Sequence, residues 1–275
     1  MRFSLLARMS VAFLLVAPAL LCPGQSTKAT TAAFRNARNL YYTPVDQGLQ
    51  GFQCEVAFNW KQFIEKANSA PVQDTDERLH YLQSIKLSVT DDLHGTGSLE
   101  WLAPTTAPDA SEASITQIRT GLQGLWSGFF QSWNGFYNGE LISQTDNTSV
   151  ERTANGYHVF TRQGARLAEE QYSNDLTLET LHVGTPEIDS VLSPVFERTP
   201  RGRVVTQLNS IVKRPPTAAG TSVKMAVQYA EVNGFQLPSA LDINVAGAAD
   251  FSFRLANCTV RTQLTDKPTA LTPKQ

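Results

Sequence analysis

Four histidines, His80, His94, His158 and His182, are the side chains best suited to hold a metal ion or move a proton, yet none stands at ligand spacing from another or from a cysteine. A structural zinc needs three or four convergent donors, so these four read as solvated or structural residues. The acidic pairs Asp74/Asp76 and Asp91/Asp92 fall beside expected turns, where Asp serves as a cap or turn former. They lack the alternating ligands and terminal Glu of an EF-hand calcium loop. Gly124-Leu-Trp-Ser-Gly128 sets Ser127 one residue off the spacing of a nucleophile elbow and inside an expected helix, which excludes an α/β-hydrolase. Asn147-Thr-Ser149 and Asn257-Cys-Thr259 are formal glycosylation sequons that carry little weight. No catalytic residue, metal site or cofactor follows, and the chain is expected not to be an enzyme.

What remains is apolar and aromatic. Ile115, Ile118, Leu122, Leu125, Phe129, Trp133 and Phe136 recur at three- and four-residue steps, with Trp126 and Phe130 beside that stripe. This spacing predicts one long helix, opened by an Asp109/Glu112 capping box and stopped by Asn134-Gly135 and Asn138-Gly139. A helix apolar around more than half its circumference must be sandwiched. Trp126, Phe129, Phe130 and Trp133 are therefore the candidate lining of an apolar cavity between helix and sheet, and the bland alternative is an ordinary packed core.

Alternation of apolar and polar residues marks the strands that would face this helix. Phe52, Cys54, Val56, Phe58 and Trp60 share one side of a pleat, and a brief helix is expected over 61–68. Past Pro71, residues 74–89 read as a helix or loop leading into a hairpin that ends near Leu102. From Val150 onward nearly everything reads as strand. Val223, Met225, Val227 and Tyr229 fall on one face, and Leu241, Ile243 and Val245 repeat the pattern after Asn233-Gly234, a pair suited to a type I′ hairpin turn. The stretch 184–202 differs: Pro186, Pro194 and Pro200 surround Ile188, Val191, Leu192, Val195 and Phe196. It reads as a short helix or a lid-like loop, with Val191 to Phe196 gating the cavity. A further short helix is expected over 28–42.

Arg2 and Arg8 precede an apolar run from Val11 to Leu21, too short to span a bilayer, and small residues follow at Gly24 and Ser26. Residues 1–26 read as a cleaved signal peptide. Cys22 falls where a lipidated cysteine would stand, but the bulky Leu21 ahead of it argues against lipid anchoring. Residues 27–264 form one expected domain, and 265–275, rich in Thr, Pro and Lys, an expected disordered tail. A net charge of −2 without a basic cluster excludes nucleic acid as a partner. In an oxidising compartment Cys54 and Cys258 are expected to pair, closing a loop of roughly 200 residues. Cys258 is out of phase with Phe251, Phe253 and Leu255, so the pairing demands a bulge near Asn257.

The order of helix, long strand, antiparallel strands, central helix and a continuous strand series, together with Tyr229-Ala-Glu-Val-Asn-Gly-Phe-Gln-Leu-Pro238, resembles the LolA/LolB-like lipoprotein-carrier superfamily. The resemblance spans 40–260 in outline. It implies an α+β fold in which a strongly curved antiparallel sheet, a half-closed β-barrel, wraps a long central helix. It also implies a periplasmic or extracellular carrier or chaperone whose partner is a lipid or an acylated protein, with an envelope protein as a further partner. No ligand residue is carried over from the family. The alternative is a non-enzymatic structural or interaction domain of the cell envelope with a fully packed core.

Overall fold

Period-two patterning dominates the chain, and the computed structural model turns it into a single antiparallel sheet of 12 strands. The structure describes residues 37–68, 70–94, 97–104, 112–138, 148–163, 165–213, 220–247 and 249–263. The signal peptide expected over 1–26 with Cys22, the first part of the helix expected over 28–42, the expected cap at Asp109, the expected stop at Gly139 and the expected tail 265–275 lie outside the described residues.

The elements run β1 (Leu49–Phe58), α1 (Trp60–Asn68), α2 (Glu77–Ser84), β2 (Lys86–Asp91), β3 (Ser98–Leu102), α3 (Glu112–Tyr137), β4 (Thr148–Thr153), β5 (Gly156–Gln163), β6 (Arg166–Ser173), β7 (Leu178–Gly184), β8 (Asp189–Thr199), β9 (Gly202–Lys213), β10 (Thr221–Val232), β11 (Phe235–Val245) and β12 (Ala249–Thr262). The fold is therefore α+β. Sheet order is β3-β2-β1-β12-β11-β10-β9-β8-β7-β6-β5-β4, an unclosed sheet whose two outer strands flank α3 in the chain.

Local chemistry explains the joints. Asp76 caps α2 by accepting from the amides of Arg78 and Leu79, satisfying donors that the first helical turn leaves free. Asn233 at φ 49° and Gly234 at φ 84° make the two-residue turn between β10 and β11. Both angles lie in the left-handed region that Asn and Gly tolerate best. One residue is skipped where Gln228 pairs with Ala240 but Tyr229 pairs with Pro238. β12 pairs β11 only over Ala240–Val245, so Pro238 falls outside that ladder.

The 184–202 stretch is a correction. Instead of a short helix or lid, Asp189–Thr199 is the strand β8, hydrogen-bonded to β7 on one side and β9 on the other. Pro194 does not break it because β7 pairs β8 only as far as Leu192, so an absent N–H on that side leaves no ladder bond unmade. Pro186 and Pro200 sit in the turns before and after the strand. The helix expected over 28–42 is described only at its end: Ala37 and Arg38 are helical, and Tyr41 then bridges Arg203 in parallel. Trp60, read as the last strand residue, instead begins α1.

Cys54 and Cys258 form the expected disulfide, with Cα atoms 4.1 Å apart. The register shift that sets it up lies where the sequence demands it: Gln53 pairs with Thr259 but Glu55 with Ala256, and Asn257 takes φ 50°. The extra residue turns Cys258 toward the buried Cys54. With the two cysteines 204 positions apart in the chain, replacing both by Ser is expected to cost about 2–5 kcal/mol of unfolding free energy. The comparison is of urea midpoints for the oxidised protein and the double variant.

Candidate functional site

The α3 residues expected to line a cavity are found buried against one another and against the sheet. Trp126 and Phe130 are 0 % exposed, Phe129 1 % and Trp133 2 %. Trp126 meets Phe129, Phe130 and the β12 residue Phe253 with ring centroids 5.8, 5.6 and 5.0 Å apart. Phe52 of β1 lies 6.2 Å from Phe130 and 6.1 Å from Trp133 in edge-on contacts, and Trp133 stacks on Tyr137 at 3.9 Å. These are the spacings of favourable aromatic packing. Gly97, just before β3, has no Cβ because one there would run into the Phe130 ring.

Polar side chains fix the helix in this seat. Trp133 Nε1 donates to the Tyr229 hydroxyl at 2.8 Å, and that hydroxyl donates to the Val205 carbonyl at 2.6 Å. Tyr137 donates to the Gln236 carbonyl, and Asn138 Nδ2 to the Leu93 carbonyl at 2.9 Å. Burial pushes the Tyr137 and Tyr229 hydroxyls above the usual phenol range, so both remain donors at any ordinary pH. One donor is left over: Trp126 Nε1 is buried with no described acceptor.

The two expected gate residues separate. Both are in β8, but Phe196 turns inward, 5.1 Å from Tyr41 and 5.9 Å from Phe136. Val191 occupies the opposite side of the pleat, between His182 of β7 and Ile211 of β9. Val191 is held in ladders on both sides and Phe196 in the β9 ladder, so neither belongs to a lid-like loop.

Two groupings escape sequence reasoning. His158, Glu169, His182 and Asp189, on β5, β6, β7 and β8, form a row. Glu169 Oε2 is 3.9 Å from His158 Nε2 and 3.9 Å from His182 Nδ1, and His182 Nε2 is 2.7 Å from Asp189 Oδ1. Linear spacing hides the row because only strand register brings its members together. Among the described residues no group of three or more His, Cys, Asp or Glu stands in position to hold a metal ion, so the row reads as cross-strand pairing.

The second grouping is a cleft of about 420 Å3 where α1 leaves the end of β1. Asn59, Gln62 and Lys66 form one wall, and Gln207, Asn209, Lys224, Asp242, Asn244, Asp250 and Ser252 extend it across β9 to β12. Lys66 pairs with Asp250 at 3.2 Å, and Asp242 accepts from Ser252 and Arg254. Hydrogen bonds from Asn244 and Lys66 hold the Asp250 carboxyl below its usual range. Phe58, Phe63 and Phe251 supply the apolar part of the lining. Amides, balanced charges and a few rings suit a polar ligand or partner segment rather than an acyl chain.

Comparison with protein-family models, with curated proteins and with solved structures returned no match to this chain. Among the described residues no helix is long and apolar enough to cross a membrane.

Phe130→Ala is expected to lower stability by about 3–5 kcal/mol, the range for emptying a filled aromatic site. Tyr229→Phe, which strands the Trp133 donor and leaves the Val205 carbonyl without this partner, is expected to cost about 1–3 kcal/mol. Chemical unfolding of the oxidised protein measures both.

Proposed function

We propose that the protein is an exported, non-enzymatic interaction domain of the cell envelope, with a sealed apolar interior and a binding surface at the α1 cleft. The observation that carries this reading is the near-zero exposure of Trp126, Phe129, Phe130 and Trp133, whose rings fill the space a ligand would need. The disulfide is compatible with export. Mixed polarity in the cleft is compatible with a hydrophilic partner.

The half-closed, LolA-like arrangement belongs to this proposal. Its support is that residues 133–138 at the end of α3 touch strands far apart in sheet order. Trp133 meets Phe52 of β1 and Tyr229 of β10, Asn134 meets Asp91 of β2, Phe136 meets Phe196 of β8, and Tyr137 meets Gln236 of β11. From β2 to β8 is six strand spacings, roughly 29 Å in a flat sheet at about 4.8 Å each. One end of a helix about 10–12 Å wide meets both only if the sheet curls around it.

A second reading, a carrier of a lipid or lipoprotein acyl chain, is favoured by the unpartnered indole N–H of Trp126 inside the apolar seat. A ligand carbonyl entering beside α3 would satisfy it. In this reading α3 holds the place of the ligand and moves aside for it.

Native mass spectrometry of the oxidised protein, with added acyl chains and an apolar fluorescent dye, separates the two readings. The sealed-core reading expects no stoichiometric lipid and no dye uptake. A co-purifying lipid that is lost in Phe130→Asp, under conditions where that variant remains folded, would establish the carrier instead.

A further inference from the structure

Asp91 closes β2 and is 0 % exposed; the Asn134 side chain of α3 is buried against it. Asn134 Nδ2 donates to Asp91 Oδ1 at 2.8 Å, and the Leu93 amide donates to the same oxygen at 3.1 Å. The other oxygen of each side chain, Asp91 Oδ2 and Asn134 Oδ1, is buried and accepts from no described group. Two stranded acceptors therefore belong to the two partners of one existing hydrogen bond. An ionised carboxylate can only accept, as can an amide oxygen, so the pair cannot satisfy itself in that state. A carboxylic acid can, because its hydroxyl supplies the missing donor.

We propose that Asp91 is protonated in the folded protein and donates its carboxyl hydrogen to Asn134 Oδ1, completing a two-bond acid–amide ring that latches the end of α3 to the end of β2 and opens on deprotonation.

The surroundings agree with this assignment. Burial raises the Asp91 carboxyl to about 7, against the lowering effect of the bonds from Asn134 and Leu93. Nearby charge is mixed: Asp92 raises it further and His94 lowers it. From α3 the facing titratable group is Tyr137, itself held neutral by burial. Across β1, Arg261 of β12 stands beside Gly51, whose absent Cβ also leaves room for the Asp91 backbone carbonyl. The turn beyond Asp91 depends on the same groups. Leu93 sits at φ 64°, and its carbonyl accepts from Asn138, one helical turn after Asn134. The ring and this second amide bond together hold the last turn of α3 down.

Protonation gives the latch a direction in pH. Between the ordinary carboxylate range and about 7, the folded chain binds a proton that the unfolded chain has released. Stability from this group is therefore complete at low pH and falls as pH rises through that window. Glu170, which burial also raises to about 7, contributes a fall of the same sign, so the test compares a variant with the parent protein.

Asp91→Asn replaces the acid hydroxyl by an N–H of similar shape and makes the ring independent of pH. The full oxidised chain and this variant are unfolded in urea at pH 5 and pH 8. At pH 5 their folding constants are expected to agree within about threefold. At pH 8 the variant is expected to be favoured by about tenfold or more, while a slope from Glu170 remains in both. Carbon-13 NMR of the carboxyl groups in the unaltered protein, with the Asp91 signal assigned by its loss in the variant, is expected to show Asp91 titrating near neutrality. A variant less stable than the parent at pH 8 or unable to fold, equal pH slopes in the two proteins, or an Asp91 carboxyl titrating in the ordinary range would overturn the latch.

Discussion

Burial of α3 is the constraint on which the rest of the structure depends. A helix of 26 residues with aromatic side chains on several flanks has no stable place at a water interface. Its neighbours in the chain, β3 and β4, are the two outer strands of the sheet. The helix is thus the link between opposite edges as well as the filling of the apolar face. The strands from β4 to β12 then return in sequence, and β12 closes against β1. Cys54–Cys258 joins those last two partners covalently, at the seam where the beginning of the fold meets its end.

Packing alone would leave α3 free to slide, since rings of similar size exchange contacts at small cost. Directional bonds remove that freedom. Trp133, Asn134, Tyr137 and Asn138 reach strands and turns from four positions within two helical turns. Nearer the middle of the helix, Trp126 Nε1 is left without a described acceptor. These four pins gather at one end of the helix, the end where the Asp91 carboxyl also lies. A structural domain gains a unique register from this arrangement, and a carrier would gain a fixed end about which the other end could move.

The features legible in the amino-acid sequence share a cause: each is written in nearest-neighbour pattern or in chemistry confined to a few residues. Alternation over 52–58 and 223–229 marks β1 and β10, three- and four-residue steps mark α3, and Asn233-Gly234 marks its turn. Even the bulge at Asn257 is foreshadowed, because Cys258 has to reach the same side of the sheet as Cys54. The departure at β8 has a physical reason too. Adjacent apolar pairs, Val191-Leu192 and Val195-Phe196, blur alternation on a strand whose two sides are both partly covered, and Pro194 suggests a break that the short β7–β8 ladder does not require.

By itself the sequence determined that β1, β10 and β11 are strands and α3 a helix, the dry face of each, and the pairing of Cys54 with Cys258, because these follow from local periodicity and covalent chemistry. Tertiary structure alone decided what covers the dry faces. Trp126, Phe129, Phe130 and Trp133 would carry the same pattern around a cavity or within a solid core, and only their placement against Phe52 and Phe253 fills the space. Strand register alone likewise brought His158, Glu169 and His182 into a row, and the seating of α3 brought Asn134 to Asp91. Contacts between residues tens of positions apart depend on how faces meet, and periodicity along the chain carries no record of that meeting.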